Sequence, residues 1–232
     1  MAARVDRSIA CHHAGVHEPP PEPGSMAVTV VDHPLAAQLL TRLRDIDTDR
    51  AGFRRAMDDL SGMLVYEATR GLPTEEVEVE TPLGPAAGTT LVDPPLVVPV
   101  LRAGLGMLGG VLRHLPETDT AFVGLARDED TFEPQPYMSS VPEDLDGRAV
   151  LVLDPMLATG GSLLHTCALL AERGAGVLTV VCVLAAPEGL ARLRDSGLVH
   201  LVVTAAVDDH LDERAYIVPG LGDAGDRLFG RA

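Results

Sequence analysis

The chain has 232 residues, 18 basic and 34 acidic side chains and a formal charge of −16 at pH 7, and every basic residue is Arg. A hydrophobic fraction of 46% supports a packed core and excludes wholesale disorder, and the length suits one domain with an appendage. A charge this negative argues against a surface that binds nucleic acid or anionic lipid non-specifically, so any phosphate must be bound in a local pocket rather than through the overall field.

Residues 1–25 differ from the rest. The run Glu18-Pro19-Pro20-Pro21-Glu22-Pro23-Gly24 cannot pack as helix or strand and predicts a disordered, solvated tail, which leaves 26–232 as the domain. Cys11, His12, His13 and His17 are neighbours, but their spacing matches no zinc pattern and no second ligand pair follows, so no metal ligands are assigned. The three cysteines are too few for a disulfide framework, and Cys167 and Cys182 read as packed thiols. The N-terminus lacks the apolar centre of a secretory signal, and the apolar run from Val177 to Pro187 is too short for a membrane span. A soluble, cytoplasmic setting is expected.

From Pro34 the periodicity is helical. Leu35, Leu39, Leu40, Leu43 and Ile46 recur at three-to-four spacing, as do Phe53, Met57, Leu60 and Leu64. Asp32 is the start signal, and Gly71 with Pro73 the stop. Glu76 to Glu80 alternates strictly and precedes a turn at Pro82 to Pro85, which predicts a β-hairpin arm with one wet face. Five short apolar runs follow: Leu96 to Leu101, Ala121 to Leu125, Ala149 to Leu153, Val177 to Leu184 and Val199 to Thr204. Helix-compatible segments lie between most of them, at Gly104 to Leu115, Ser162 to Arg173 and Glu188 to Ser196. Such alternation predicts an α/β fold with a mostly parallel sheet flanked by helices. The polar stretch from Arg127 to Gly147 breaks it and reads as a mobile lid.

In such a sheet ligands bind beyond the carboxyl ends of the strands. Leu153 is followed by Asp154-Pro155-Met156-Leu157-Ala158-Thr159-Gly160-Gly161-Ser162 and then a helix. Adjacent glycines before a helix N-terminus form an anion cradle, because backbone N–H groups can approach the ligand closely. An acid followed by a cradle matches a sugar phosphate, with Asp154 on the ribose hydroxyls and Ala158 to Ser162 on the phosphate. The Gly-Lys-[Ser/Thr] triplet of a Walker loop is absent. On local chemistry alone the segment reads equally as a strand–turn–helix junction with a Ser cap. Arg102, in Leu101-Arg102-Ala103-Gly104-Leu105-Gly106, and Arg127 also follow apolar runs, and Arg donates in a fork to phosphate oxygens. Near the C-terminus, Tyr216-Ile217-Val218-Pro219-Gly220-Leu221-Gly222-Asp223-Ala224-Gly225-Asp226 is a glycine-rich loop whose backbone can read the edge of a planar base.

Taken together these segments resemble the uracil phosphoribosyltransferase family. The matches are Asp32-His33-Pro34-Leu35, Tyr66-Glu67-Ala68, Val98 through Met107, Asp154 through Ser162, Ala185-Ala186-Pro187-Glu188-Gly189 and Tyr216 through Asp226, so the resemblance runs from about Val30 to the C-terminus. It implies a phosphoribosyltransferase-like fold and the conversion of uracil and 5-phosphoribosyl 1-pyrophosphate to UMP and pyrophosphate, with Mg²⁺ as cofactor and a homodimer or higher homo-oligomer; GTP is an effector of some relatives. Carried over by motif, Arg102 and Arg127 contact the pyrophosphate donor. Asp154, Pro155, Met156, Leu157, Ala158, Thr159, Gly160, Gly161 and Ser162 hold its ribose 5-phosphate part. Ile217, Gly222, Asp223 and Ala224 bind uracil. Asp223 also touches the donor, so Arg102, Asp154 and Asp223 form the implied catalytic set.

Two departures stand out. Pro155 occupies the place where phosphoribosyltransferases in general carry a second acid, a replacement that the uracil-specific branch shares. Ala126 and Ser140 stand where relatives usually have Tyr before the lid Arg and Lys within the lid, and loss of that cation is expected to weaken donor binding or shift the oligomer interface. Two other readings remain on sequence grounds. One is a pyrimidine-nucleotide-sensing regulator that binds RNA, which the absence of Lys and the negative charge disfavour. The other is a phosphoribosyltransferase for another base, against which only the Tyr216–Asp226 loop speaks.

Overall fold

A computed structural model describes residues 26–127 and 134–230. The chain opens with β1 (Ala27–Val30), α1 (Pro34–Arg44) and α2 (Arg50–Ala68), then the hairpin β2 (Thr74–Thr81) and β3 (Gly84–Leu91). The body follows as β4 (Leu96–Leu101), α3 (Leu105–His114), β5 (Val123–Arg127), β6 (Pro134–Ser139), β7 (Val150–Leu153), β8 (Met156–Leu157), α4 (Gly161–Glu172), β9 (Leu178–Ala185), α5 (Pro187–Ser196) and β10 (Leu201–Val207). Two short strands, β11 (His210–Leu211) and β12 (Ile217–Val218), and the one-turn helix α6 (Ala224–Phe229) end it. The sheet has the order β1-β10-β9-β7-β4-β5-β6, with β8 added to β9, and every pairing is parallel except that of β6 with β5.

The apolar runs are continuous because both faces of the sheet are covered. Val97, Leu151, Leu153, Val181, Val183 and Val203 meet residues of α1, α2, α3 and α6. The alternate positions, such as Val98, Val100, Val150, Val152, Val180 and Cys182, meet Leu163, Cys167 and Leu170 of α4 and Leu190 and Leu193 of α5. Both described cysteines are packed thiols whose burial pushes their pKa up to about 12. The chain moves outward from β4 to β5 on one side and resumes at β7 on the other, and α3 and α4 lie on opposite faces. A crevice therefore opens between the carboxyl ends of β4 and β7.

Several expectations require correction. The cap of α1 is His33, not Asp32: the His33 Nδ1 accepts the N–H of Leu35 at 3.1 Å. Ile46 lies beyond α1 and is 91% exposed, and Leu35 faces solvent as well, so the apolar stripe is narrower than the spacing implies. Phe53, Met57, Leu60 and Leu64 are all fully buried. The hairpin arm is wet on both faces, with Val79 and Leu83 exposed. Strand β1 adds an edge strand that the sequence did not signal. Residues 134–139 of the expected lid form β6 on the other sheet edge, while 128–133 lie outside the described residues.

The first face depends on a close crossing of α2 and α3. A Cβ on Gly110 would lie 2.1 Å from the Asp58 carbonyl oxygen and 2.9 Å from the Gly62 nitrogen, so only glycine permits this approach. Arg113 and Asp58 pair beside it. Gly110→Ala should therefore destabilise the protein by about 2–3 kcal/mol, since rigid backbone cannot yield and overpacking outweighs the better helix propensity of Ala. A lowered thermal midpoint checks this, and an unchanged one contradicts it.

Candidate active site

Three adjacent strands, β7, β4 and β5, end at one edge of the sheet and deliver Asp154, Arg102 and Arg127 in that lateral order. Neighbouring strands are spaced by about 4.8 Å, so this order alone gathers the three residues along one rim. The β4–α3 turn lies directly against the end of β7. A Cβ on Gly104 would sit 2.3 Å from the Leu153 carbonyl oxygen, so glycine there brings the Arg102 turn into backbone contact with the segment leading to Asp154. On its other flank Arg102 meets the terminal loop: its Nη2 is 3.9 Å from Asp226 Oδ1. A Cβ on Gly225 would lie 4.0 Å from Arg102 Nη2 and 3.2 Å from Asp223 Oδ1. Arg102 thus stands between the two segments that the sequence singled out. The two cis peptides of the chain's described residues, Leu101–Arg102 and Val218–Pro219, occur in this turn and in the terminal loop.

The segment after Leu153 is not one continuous turn. The Pro155 carbonyl accepts the N–H groups of Val183 and Leu184, and Met156 and Leu157 rejoin the sheet as β8. Leu157 is fully buried, so its side chain belongs to the core and not to the cleft. The turn proper is Ala158 to Gly160. Gly160 has φ 75° and is the N-cap of α4, without a side-chain hydrogen bond to the helix end. The expected Ser cap is therefore absent: Ser162 lies inside α4, and Thr159 Oγ1 only reaches the Gly161 N–H at 3.4 Å. A 12-residue helix whose first turn is not capped by its own N-cap side chain presents its N–H groups and partial positive charge to the cleft. The turn is braced by α5, where a Cβ on Gly189 would come within 2.4 Å of the Ala158 carbonyl oxygen.

Asp154 stands at the end of β7, and its Oδ1 accepts the Met156 N–H at 3.2 Å. Burial pushes its carboxyl up to about 7, and the Met156 N–H only partly offsets this.

In the terminal loop, Asp223 caps α6 by accepting the Asp226 N–H at 2.8 Å. Ala224 and the Ile217 side chain are buried, while Gly222 and Asp223 are exposed. Asp212 donates to the Tyr216 carbonyl, and Leu211 donates to Glu188. Leu211 and Ile217 therefore oppose each other as a non-hydrogen-bonded pair, and the N–H and C=O of Ile217 point away from β11. Together with the backbone of Gly222 and the N–H groups of Asp223 and Ala224, these are the polar groups that this side of the loop presents, while the Asp223 carbonyl accepts the Arg227 N–H at 3.0 Å.

Ser140 lies elsewhere. It exchanges hydrogen bonds with Phe122, at the foot of β5, so it is roughly 17 Å along the strand from Arg127. A cation there would serve the opposite edge of the sheet, not a lid over the crevice. Two residues that sequence reasoning missed contact the terminal loop. Asp208 follows β10, and Arg44 ends α1; both bind Gly220. An acid at a strand's carboxyl end was a readable signal for Asp208, whereas Arg44 carried none.

The Asp154 shift has a definite sign. Its carboxyl binds a proton more tightly in the folded chain than at its ordinary value of 3.8, so stability falls as pH rises from about 4 to about 7 and stays level above. The whole shift is worth at most about 4 kcal/mol. Asp154→Asn in the ligand-free protein should be more stable than wild type at pH 8, and the difference should shrink toward pH 4. Melting curves at the two pH values measure it, and a difference independent of pH would contradict the burial argument.

Comparison with known proteins agrees with this architecture. A family model described as uracil phosphoribosyltransferase matches residues 30–231. Uracil phosphoribosyltransferases of Corynebacterium diphtheriae and Corynebacterium efficiens are each 54% identical over 205 residues, 88% of this chain and 97% of theirs. That of Corynebacterium glutamicum is 53% identical over the same span. The solved AQ2163 protein of Aquifex aeolicus superposes with a TM-score of 0.83 at 38% identity, covering 88% of this chain and 99% of that one. A match that begins with β1 and runs through α6, at more than half identity to relatives of nearly the same extent, places the chain in the uracil phosphoribosyltransferase family.

Proposed function

We propose that the protein transfers the 5-phosphoribosyl group from 5-phosphoribosyl 1-pyrophosphate to uracil, giving UMP and pyrophosphate. The observation that carries this reading is the 54% identity to uracil phosphoribosyltransferases across 97% of their length. In the reaction the bond between C1′ and the pyrophosphate oxygen breaks, a C1′–N bond to the base forms, and the base nitrogen loses its proton. Positive charge grows on the ribose and negative charge on the leaving group, so catalysis is largely positioning and electrostatics.

The roles are those that the resemblance implies, and the placement of the residues along one rim supports them. The N–H groups at the start of α4, with Ala158 to Ser162, seat the 5′-phosphate, and Asp154 accepts from the ribose hydroxyls. Arg102 and Arg127 neutralise the pyrophosphate. Ile217, Gly222 and Ala224 read uracil through their backbone, with Asp223 at the junction of base and donor. A backbone donor that pairs with a uracil carbonyl meets an amino group in cytosine, which leaves buried polar groups unpaired and gives selectivity. Exclusion of water from the crevice would protect the donor from hydrolysis.

Mg²⁺ belongs to the proposal as a companion of the donor. Among the described residues no group of three His, Cys, Asp or Glu side chains gathers to hold a metal, and Pro155 stands beside Asp154 in place of a second acid. That chemistry suits an ion carried largely by substrate phosphates, where it would offset the charge of the leaving group. A homodimer or higher homo-oligomer and a GTP effector rest on the resemblance, a cytoplasmic setting on the few, scattered cysteines, and a non-catalytic role for residues 1–25 on their lying outside the resemblance. The hairpin arm supports assembly, since a two-stranded hairpin wet on both faces is marginal until something covers it. No helix among the described residues is long and apolar enough to cross a membrane.

Purified protein with the donor and Mg²⁺ should form UMP from uracil and leave hypoxanthine and orotate unchanged; consumption of either in place of uracil would overturn the reading. Asp223→Asn keeps an N-cap of equal quality but loses the carboxylate. It should leave stability within about 0.5 kcal/mol and lower turnover by at least roughly a hundredfold, as steady-state rates and melting curves would show.

A further inference from the structure

The terminal loop makes a tight turn at Gly220, where φ is 62° and a Cβ would lie 2.1 Å from the Ile217 carbonyl oxygen. The place of the Ile217 backbone is thus fixed by Gly220. Packing alone does not fix Gly220. The Leu221 side chain is buried, but a cavity of about 710 Å³ opens beside the loop, lined by Pro219 to Asp223 together with Arg44, Arg50 and Arg227. What holds Gly220 is polar. Its N–H donates to Asp208 Oδ2 at 2.8 Å, and its carbonyl accepts from Arg44 Nη1, also at 2.8 Å. Arg44 in turn binds both carboxylate oxygens of Asp208, at 2.5 and 2.7 Å. Asp208 is only 6% exposed. Burial alone would raise its pKa, but the Arg44 and Gly220 hydrogen bonds outweigh that and hold it below the usual carboxylate value.

We infer that Asp208 and Arg44 are positioning residues for base recognition: by occupying both backbone polar groups of Gly220 they set which groups of the loop face the cleft. The inference rests on the proposed uracil site and adds its specificity determinant. One face of the turn is saturated and the Asp223 carbonyl is taken by the Arg227 N–H at 3.0 Å, so the pattern left for a ligand is the N–H and C=O of Ile217 with the backbone of Gly222 and the N–H groups of Asp223 and Ala224. Arg227 holds the next carbonyl from the same side, donating to Leu221 at 3.0 Å while its guanidinium lies 4.2 Å over the Phe53 ring. Base reading is thereby tied to α1 and β10, which bear none of the residues assigned to the donor.

The test compares KM for the two substrates in the full chain. Asp208→Asn keeps the shape but puts an amide where two donors converge. Arg44→Lys keeps the charge but loses the fork. Both should raise KM for uracil about tenfold or more, because small displacements at a distance are costly, and should leave KM for the donor within about twofold. The preference for uracil over cytosine should fall in both. A purely structural role predicts a lower thermal midpoint with both KM values unchanged, or both raised together, and either result overturns the inference. If Asp208→Asn does not fold, Arg44→Lys gives the same reading. Wild-type protein that makes no UMP from uracil would instead refute the proposed function. Amide exchange at Gly220 to Ala224 then decides separately: faster exchange in Arg44→Lys supports the clamp, and unchanged protection overturns it.

Discussion

A parallel sheet can bury both faces only if each strand returns through a crossover, and that constraint generates the site. Every strand from β4 to β10 that pairs in parallel ends at the same edge, so every chain reversal that follows one adds its residues to the same rim. Where β4 leads outward and β7 resumes on its other side, the covering helices separate to opposite faces and leave a crevice that no side chain of the core can fill. Arg102 and Asp154 flank that crevice because they terminate the two strands that form it. Their proximity needs no attraction between them; it is a consequence of topology.

In the proposed site the recognising groups are mostly backbone, which accords with the glycines around the crevice. Gly104, Gly160, Gly189 and Gly220 each stand where a Cβ would strike a neighbouring carbonyl oxygen within 3.2 Å. Each therefore lets one chain segment approach another closely enough for N–H groups to become the binding surface. This also reconciles a charge of −16 with a phosphate ligand. Surface carboxylates farther than about 8 Å away are screened at physiological salt, whereas in the proposed site the helix end and Arg102 would act at contact distance.

The sequence was legible where one physical signal dominated. Leu96–Leu101 is a strand over the same residues in sequence and structure because a fully buried strand needs only an apolar run between breaks. Phe53, Met57, Leu60 and Leu64 followed the helical period into the core for a similar reason. Signals failed where the deciding partner is distant in sequence. Leu157 looked like part of a ligand turn, yet a return to β9 draws it into the core. Ile46 kept the period of α1 but falls after the helix has ended at Arg44. The lid region hid β6 because an edge strand with one neighbour needs no apolar pattern. Arg44 is separated from Gly220 by most of the chain, and no local rule joins them.

That last pairing bears on how the two halves of the site are built. The proposed donor side is assembled from the ends of adjacent strands, so its geometry is inherited from the sheet. The base side is a loop between a two-residue strand and a one-turn helix, elements too short to hold a shape by themselves. Its order must come from outside, through the buried Leu221, the cap at Asp223 and the polar contacts at Gly220. A loop fixed at its back by charged partners and open at its front can present backbone groups in one arrangement without filling the cleft with side chains. A small ligand at the proposed base site would then meet a preformed pattern, and the entropy of ordering the loop would be spent in folding and not in binding.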